Sequence, residues 1–449
     1  MINRSLKLLG KTLAALFVLL FVVVLVFVII NSRDKPPSQT ALEFQQAYDN
    51  RKPVSEADNG YIYLAGFDAA SDEAPEAVGA KRIKFSKDFI KGLESNNKDI
   101  FRAEYNPEEA FIKEVKTVFD QCAVINKVCI EEINKNSARI VEWSQAEALI
   151  GGRYTKLITH SSWLELVPMD MNLPTPTFGL VLKAQRLAFI QELAASEPQH
   201  PDRVVELLNK DLRFWRVVLR DTDMLIGKMV AAAAIKNNFL WTNQFLLSLD
   251  QNKRSSVIPS VAQQTFTDEE LSLRRSLIGE WIFTSKAYDK TEKMHLNKFP
   301  DKLASDLLFK RQDTINRSAT AFKNLIDAQN TSIADFETGV TAQKTSNQQQ
   351  NSPYSSFSYY LMNPYNPVGK ILLAVAAPAY DNYSARAKDL EVFRRGLLAS
   401  IEYMKSESGA NIQYSSPYKT KPFVINQQER TITVNGLGNS THGQLIYSY

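Results

Sequence analysis

The chain has 449 residues, with 53 Lys and Arg against 49 Asp and Glu and a formal net charge of +4. Residues 1–35 hold five bases and one acid, which accounts for the whole excess and leaves 48 of each sign in the remainder. A body without surplus positive charge has nothing to draw a phosphate backbone, so nucleic acid is excluded as a partner.

The first element is TLAALFVLLFVVVLVFVIINS, residues 12–32, which carries no charge over 21 residues. At about 1.5 Å per residue it spans roughly 30 Å, the thickness of a bilayer's hydrocarbon core. A cleaved signal peptide has a shorter apolar region, about 7 to 15 residues, and ends at a small-x-small site. Here the run leaves through Val28, Ile29, Ile30 and Asn31, so an uncleaved transmembrane anchor is expected. Arg4, Lys7 and Lys11 precede it without an acid, whereas Arg33 and Lys35 flank Asp34 after it. Short-loop positive charge stays cytoplasmic, which predicts a cytoplasmic tail at 1–11, an anchor at 12–32 and an exported body.

Pro36 and Pro37 predict a short stiff stalk, with Ser38 as cap of a helix from about Gln39. The segment 58–70, DNGYIYLAGFDAA, reads either as a strand along which Tyr61, Tyr63 and Phe67 alternate or, in preference, as a helix after an Asn59 cap with Tyr61, Leu64 and Ala65 on one face; its aromatics are expected in the core. Pro107, Glu108 and Glu109 form a helix start. The stretch 122–129, CAVINKVC, contains the only two cysteines. In a continuous helix they would lie about 10.5 Å apart, beyond bridging range. A bend at Asn126 and Lys127 in an oxidising compartment favours a Cys122–Cys129 disulfide, with two reduced buried thiols as the main alternative and a metal or redox pair, which no CxxC or nearby histidine supports, as the lesser one.

Gly151-Gly152 reads as a helix break. Leu180, Ala184, Leu187, Ile190 and Leu193 form one apolar stripe, and Val204, Leu208, Leu212, Trp215 and Leu219 another after the break at 196–201. These predict two helices in an antiparallel hairpin. The hairpin resembles tetratricopeptide-like arrays over about one repeat, without the signature residues of that family. Four successive alanines in 222–249 predict close helix packing. Thr267 to Glu270 fits a capping box opening a helix through Leu271, Ile278, Trp281 and Ile282. The polar run 345–362 predicts a mobile loop, 363–378 a buried apolar segment, and Tyr383 to Ile401 an amphipathic helix ended near Gly409. PFVIN and RTITV predict a small β-hairpin. The expected fold is mainly α: an anchor, a helical-hairpin domain over 33–344, the loop 345–362, and a helix plus β-hairpin over 363–449 on the same core.

NGYIYLAGF (59–67), DLRFWRVVLRDTDMLIGKM (211–229) and NPVGK (366–370), with the anchor before them, resemble a group of uncharacterised membrane-anchored envelope proteins of Gram-negative bacteria. The resemblance implies a compartment and a fold, and no activity.

Chemistry is sparse. His160, His200, His295 and His442 are far apart and form neither HExxH nor HxxxH, and no GxSxG, SxxK, Walker or GxGxxG stretch is present. No catalytic, metal or cofactor residue is nominated, and no cofactor is expected. Asp211, Asp221, Asp223 and Lys228 read as solvated faces or caps. Two classes of function follow: a single-pass inner-membrane protein whose periplasmic helical domain is an interaction or scaffold module for an envelope protein partner, or an envelope-directed, hydrolase-like enzyme whose site no motif reveals. An apolar groove favours the first, and a polar cleft holding a base beside a nucleophile the second.

Overall fold

Most of the expected periodicities become helices in the computed structural model, which adds a small antiparallel sheet near the C-terminus. It describes residues 2–92, 99–103, 105–167, 170–196, 201–254, 257–294, 307–333, 335–338, 363–375, 380–405, 413–438 and 443–449. The expected loop 345–362, the expected stop at Gly409 and residues 197–200 lie outside the described residues. The chain divides into two units: Met1–Asn50, Trp281–Leu325 and Thr341–Ala379 form the first, and Arg51–Glu280, Ile326–Val340 and Tyr380–Tyr449 the second.

The second unit is built around the helices Phe178–Ala195, Asp202–Asp221, Leu225–Ser248 and Asp381–Lys405. Asp202–Asp221 is amphipathic and buries Leu208, Leu212, Trp215 and Leu219, as its stripe requires. Its main packing partner is Leu225–Ser248, which is buried on nearly every face; Ala231, Ala232 and Ala234 let neighbouring backbones come close. Phe189 stacks on Trp241 at 5.5 Å between ring centres, and Trp163 meets Phe214 edge-on at 6.1 Å.

At the N-terminal end of this unit, Asn59 caps Gly60–Ala65 by accepting from Tyr61 N–H at 3.2 Å. That helix crosses Pro75–Ile90 where Gly66 and Gly79 face each other's backbones; a Cβ on either would collide with Pro75 O or Ile62 O. Cys122 ends the helix Lys113–Gln121, Asn126 caps Lys127–Lys135 through Cys129 N–H at 3.1 Å, and the two sulfurs are bonded across this corner.

Several local expectations change. Pro107–Ala110 is a single 3-10 turn, and the helix starts only at Lys113. The Thr267 capping box is formed, but its helix, Asp268–Leu271, stops after four residues and the long helix Arg274–Met294 begins separately. Gly151 and Gly152 do not break a helix: both lie inside Leu149–Leu157, where a Cβ on Gly151 would run into the Gln191 side chain. The expected hairpin is the pair β1 (Val424–Asn426) and β2 (Thr431–Asn435), to which β3 (Gln444–Ser448) adds an unexpected third strand in the order β1-β2-β3. Ile432, Val434, Leu445 and Tyr447 alternate inward, and the sheet packs on Asp381–Lys405, most closely at Gly396, which leaves room for Val434.

The first unit contains the apolar helix Ile2–Ile30 and, beyond it, Gln39–Asp49, most of Arg311–Gln329, and Pro367–Val375. Its 21-residue stretch Gly10–Ile30 is long and apolar enough to cross a membrane, and none of the strongest window is covered by protein. The short stalk is stitched to the helix Arg311–Gln329. Asp34 accepts from Gln312 N–H at 2.7 Å and Asp313 N–H at 3.0 Å, capping the helix below it, and Lys35 pairs with Asp313 at 2.7 Å. Asn316 accepts from Ser38 N–H and donates to Pro36 O. Ser38 in turn caps Gln39–Asp49 through Ala41 N–H. Trp281 packs edge-on against Phe44 at 5.5 Å and donates Nε1–H to Ile315 O.

The segment expected to be buried at 363–378 is a correction. Asn366 and Lys370 are buried, yet Ile371 and Val375 of the helix Pro367–Val375 are 47% and 82% exposed. An apolar run predicts burial because water is the default surrounding; nothing in its composition says whether protein supplies the cover.

Candidate functional site: a tyrosine-lined groove beside an open sheet edge

A cavity of about 440 Å³ lies in the second unit between Asp381–Lys405 and the sheet. The helix contributes Ala399 and Tyr403, the irregular stretch 414–423 contributes Tyr414, Tyr418 and Phe423, and the strands contribute Ile425 and Ile432. Its volume falls within the usual range of ligand sites, and its lining is mostly apolar and aromatic with a few hydroxyls.

Buried carboxylates hold this wall in place. Glu337 accepts from Lys419 N–H at 2.8 Å, Thr420 N–H at 2.9 Å and the Thr420 hydroxyl. Asp389 accepts from the Tyr418 hydroxyl at 3.0 Å and from Leu437 and Gly438 N–H at 2.9 Å each. Burial pushes the Asp389 carboxyl up to about 6 despite those three donors. Burial, then the neighbouring Asp389, raises the Tyr418 phenol as well, so it stays a neutral donor.

The two sheet edges differ. The Asn243 side chain donates to Ser448 O at 2.9 Å and accepts from Ser448 N–H at 3.1 Å, which imitates a neighbouring strand and closes the β3 side. Along β1 no described strand pairs on the outer side, and Val424 and Ile425 are 54% and 41% exposed. An open edge next to an apolar trough is the geometry into which an extended peptide adds as a strand.

The acidic and basic residues expected at the surface are a second correction. Asp221 stands at the rim, paired with Arg220 and Arg275, but Asp211, Asp223 and Lys228 are buried. Asp211 is wholly enclosed and accepts from the Tyr154 hydroxyl, Gln185 and Asn238; burial pushes its carboxyl up to about 6. Lys228 donates to Leu219 O, Glu270 O and Ser272 O at 2.5–2.8 Å, and burial pulls its ammonium down to about 7. Glu165 accepts from Trp163, the Thr222 hydroxyl and Asp223 N–H, while Arg51 and Arg275 hold Asp223. Burial, then the Asp223 charge, pushes Glu165 up to about 7. Perturbed carboxyls of this kind mark active sites when they face a cleft. These do not: none of the described cavities is lined by Glu165, Asp211 or Lys228, and each polar atom points at a fixed partner.

A smaller recess of about 50 Å³ sits by Asp68, Arg82 and Thr177. Arg82 donates to Asp68 and to the carbonyls of Ala65, Ile100 and Arg102, so its donors are engaged, while Asp68 Oδ2 has no described partner. The space suits a water or two. His160 is turned to Leu157 O and against Tyr63; His200, His295 and His442 lie outside the described residues. Among the described residues no group of three His, Cys, Asp or Glu is arranged to hold a metal.

Sequence reasoning missed Tyr403, Tyr414, Tyr418 and Asp389. The only local signal was the aromatic and proline content of SSPYKTKPF (415–423), which has no periodicity to place it. No protein-family model, no curated protein and no solved structure matches this chain.

Proposed function

We propose that the protein is a single-pass inner-membrane protein whose helical body lies on the periplasmic side and holds an extended segment of another envelope protein in the groove between Tyr403, Tyr414 and β1. The groove beside an open edge carries the reading: backbone groups of β1 supply affinity for any extended segment, and the aromatic trough selects apolar or aromatic side chains from it. The anchor is supported by the uncovered apolar helix, by Arg4, Lys7 and Lys11 on its short side, and by Asn31, whose side chain donates to Phe27 O and continues the last helical turn into the body. The Cys122–Cys129 bond accords with an oxidising compartment.

The test is site-specific photocrosslinking in intact cells, with the photoreactive residue at Tyr414 or Tyr403 and, as control, at Val128, which is exposed on a different helix. A discrete adduct from both groove positions and none from Val128 is expected. It should vanish when Ile425→Asp places a charge in the trough. Equal labelling from all three positions would remove the groove from the account.

A further inference from the structure

The helix Pro367–Val375 sorts its residues in the reverse of the order water imposes. Its glycine and its one charged residue turn inward: Gly369 packs against Thr314 and Asn366, and Lys370, 2% exposed, donates from Nζ to Asn363 O at 2.6 Å. The residues after Lys370 are Ile371, Leu372, Leu373, Ala374 and Val375, without one polar side chain, and Ile371, Ala374 and Val375 stand outward while Leu372 and Leu373 are half-buried. A contiguous exposed apolar face of this kind marks a surface covered by something other than water.

What covers it follows from where it is fastened. Asn366 donates its backbone N–H to Asn31 Oδ1 at 2.8 Å, and Asn31 donates from Nδ2 to Pro364 O and Phe27 O, both at 3.0 Å. The Tyr365 hydroxyl donates to Arg33 O at 3.2 Å. Asn366, with φ +51°, is itself wholly buried: its side chain donates to Lys310 O, Asp313 and Thr314 and accepts from Lys310 N–H and Gly369 N–H. This clamp leaves the start of the helix no freedom to leave the residue that follows Ile30, the last of the apolar helix. Nine residues of helix are about 13 Å long, too short to span a bilayer but well suited to lie at its surface.

We infer that Pro367–Val375 is an interfacial membrane helix: its Ile371 to Val375 face is buried in the headgroup–acyl boundary of the leaflet from which the body emerges, giving the protein a second, monotopic contact beside its anchor. The inference rests on the anchor reading proposed above. Such helices sit about 5–10 Å into the interface. Two points of attachment, one spanning and one lying flat, fix the orientation of the first unit about the anchor axis, which a lone helix leaves free to spin.

The experiment uses the full chain in liposomes, with the fluorophore NBD on single introduced cysteines at Ile30→Cys, Val375→Cys or Val424→Cys. Cys122 and Cys129, bonded to each other and buried, do not take the label. Lipids carrying a nitroxide near the top of the acyl chain should roughly halve the emission at 30 and 375, the depth an interfacial helix reaches, and leave 424 unchanged. Quenching at 30 with none at 375 overturns the inference and leaves the anchor standing. A blue-shifted but unquenched label at 375 assigns the face to protein, a second copy included, and overturns it too. Absence of quenching at 30 sinks the anchor and the inference together.

Discussion

In the second unit Trp215, Phe189 and Phe239 are wholly buried, and a few charged groups are enclosed only because each finds several partners. Around residues 31–38 and 363–375 of the first unit the wholly buried residues are Asn31 and Asn366, and Ile371 and Val375 face out. The first arrangement is a core made against water. The second is a polar knot with an apolar rim, which makes sense where hydrocarbon and headgroups replace water on one side. Both obey one rule. A polar group out of water must be bonded, and a region's surroundings are read from which class of side chain is left outside.

That contrast breaks if the enclosed charges of the second unit are dispensable. Glu270 receives Arg216 through Nε at 2.7 Å and a second nitrogen at 2.8 Å, and also accepts from Thr267 N–H in the capping box. Glu270→Ala leaves the enclosed Arg216 charge without its carboxylate and Thr267 N–H without its acceptor, while the Thr267 hydroxyl still accepts from the backbone N–H of residue 270; the expected loss is about 3–5 kcal/mol in urea unfolding of the detergent-solubilised chain. A loss near zero would show that saturation is not what keeps these charges inside.

The next effect sharpens the comparison by pH. Asp389 is raised from 3.8 to about 6, so the folded state holds its proton more tightly than the unfolded chain. Its contribution to stability is complete below about pH 4 and falls as pH rises through 6, by roughly 3 kcal/mol at most. Asp211, raised to about 6, and Glu165, raised to about 7, act in the same direction. Unfolding midpoints should therefore decline between about pH 4 and 7, and Asp389→Asn should flatten part of that decline. An unchanged slope would mean that Asp389 ionises in the fold as it does in water.

The smallest effect belongs to the first unit. Asn31→Ala removes the acceptor of Asn366 N–H and the donor to Pro364 O, at a cost of about 1–2 kcal/mol. Amide exchange should quicken at 366–370 and stay unchanged at 208–219. Equal protection in the variant would deny the knot its role.

Features written in neighbouring residues were legible. Ser38, Asn59 and Thr267 each cap a helix start where their positions imply one, although the Thr267 helix is shorter than expected, because a cap is a bond between a side chain and a backbone two or three residues away. The corner at Asn126 was legible for the same reason. What could not be read depends on residues far apart in the chain. Asp211 looks like any acid on an amphipathic helix until Tyr154, Gln185 and Asn238 arrive from other helices. The groove draws on Tyr403, Tyr414 and Ile432, which share no period. Pro367–Val375 was misjudged because hydrophobicity names an escape from water and does not name the destination.

The placement of the indoles gives the two units separate optical signatures. All five tryptophans are buried, and Trp143, Trp163, Trp215 and Trp241 belong to the second unit, leaving Trp281, wedged against Phe44, as the sole reporter of the first. Emission from a Trp281→Phe chain therefore follows the second unit by itself, and its difference from the unaltered chain isolates the first. Melting curves recorded on the two samples resolve whether the two units come apart at one temperature or at two.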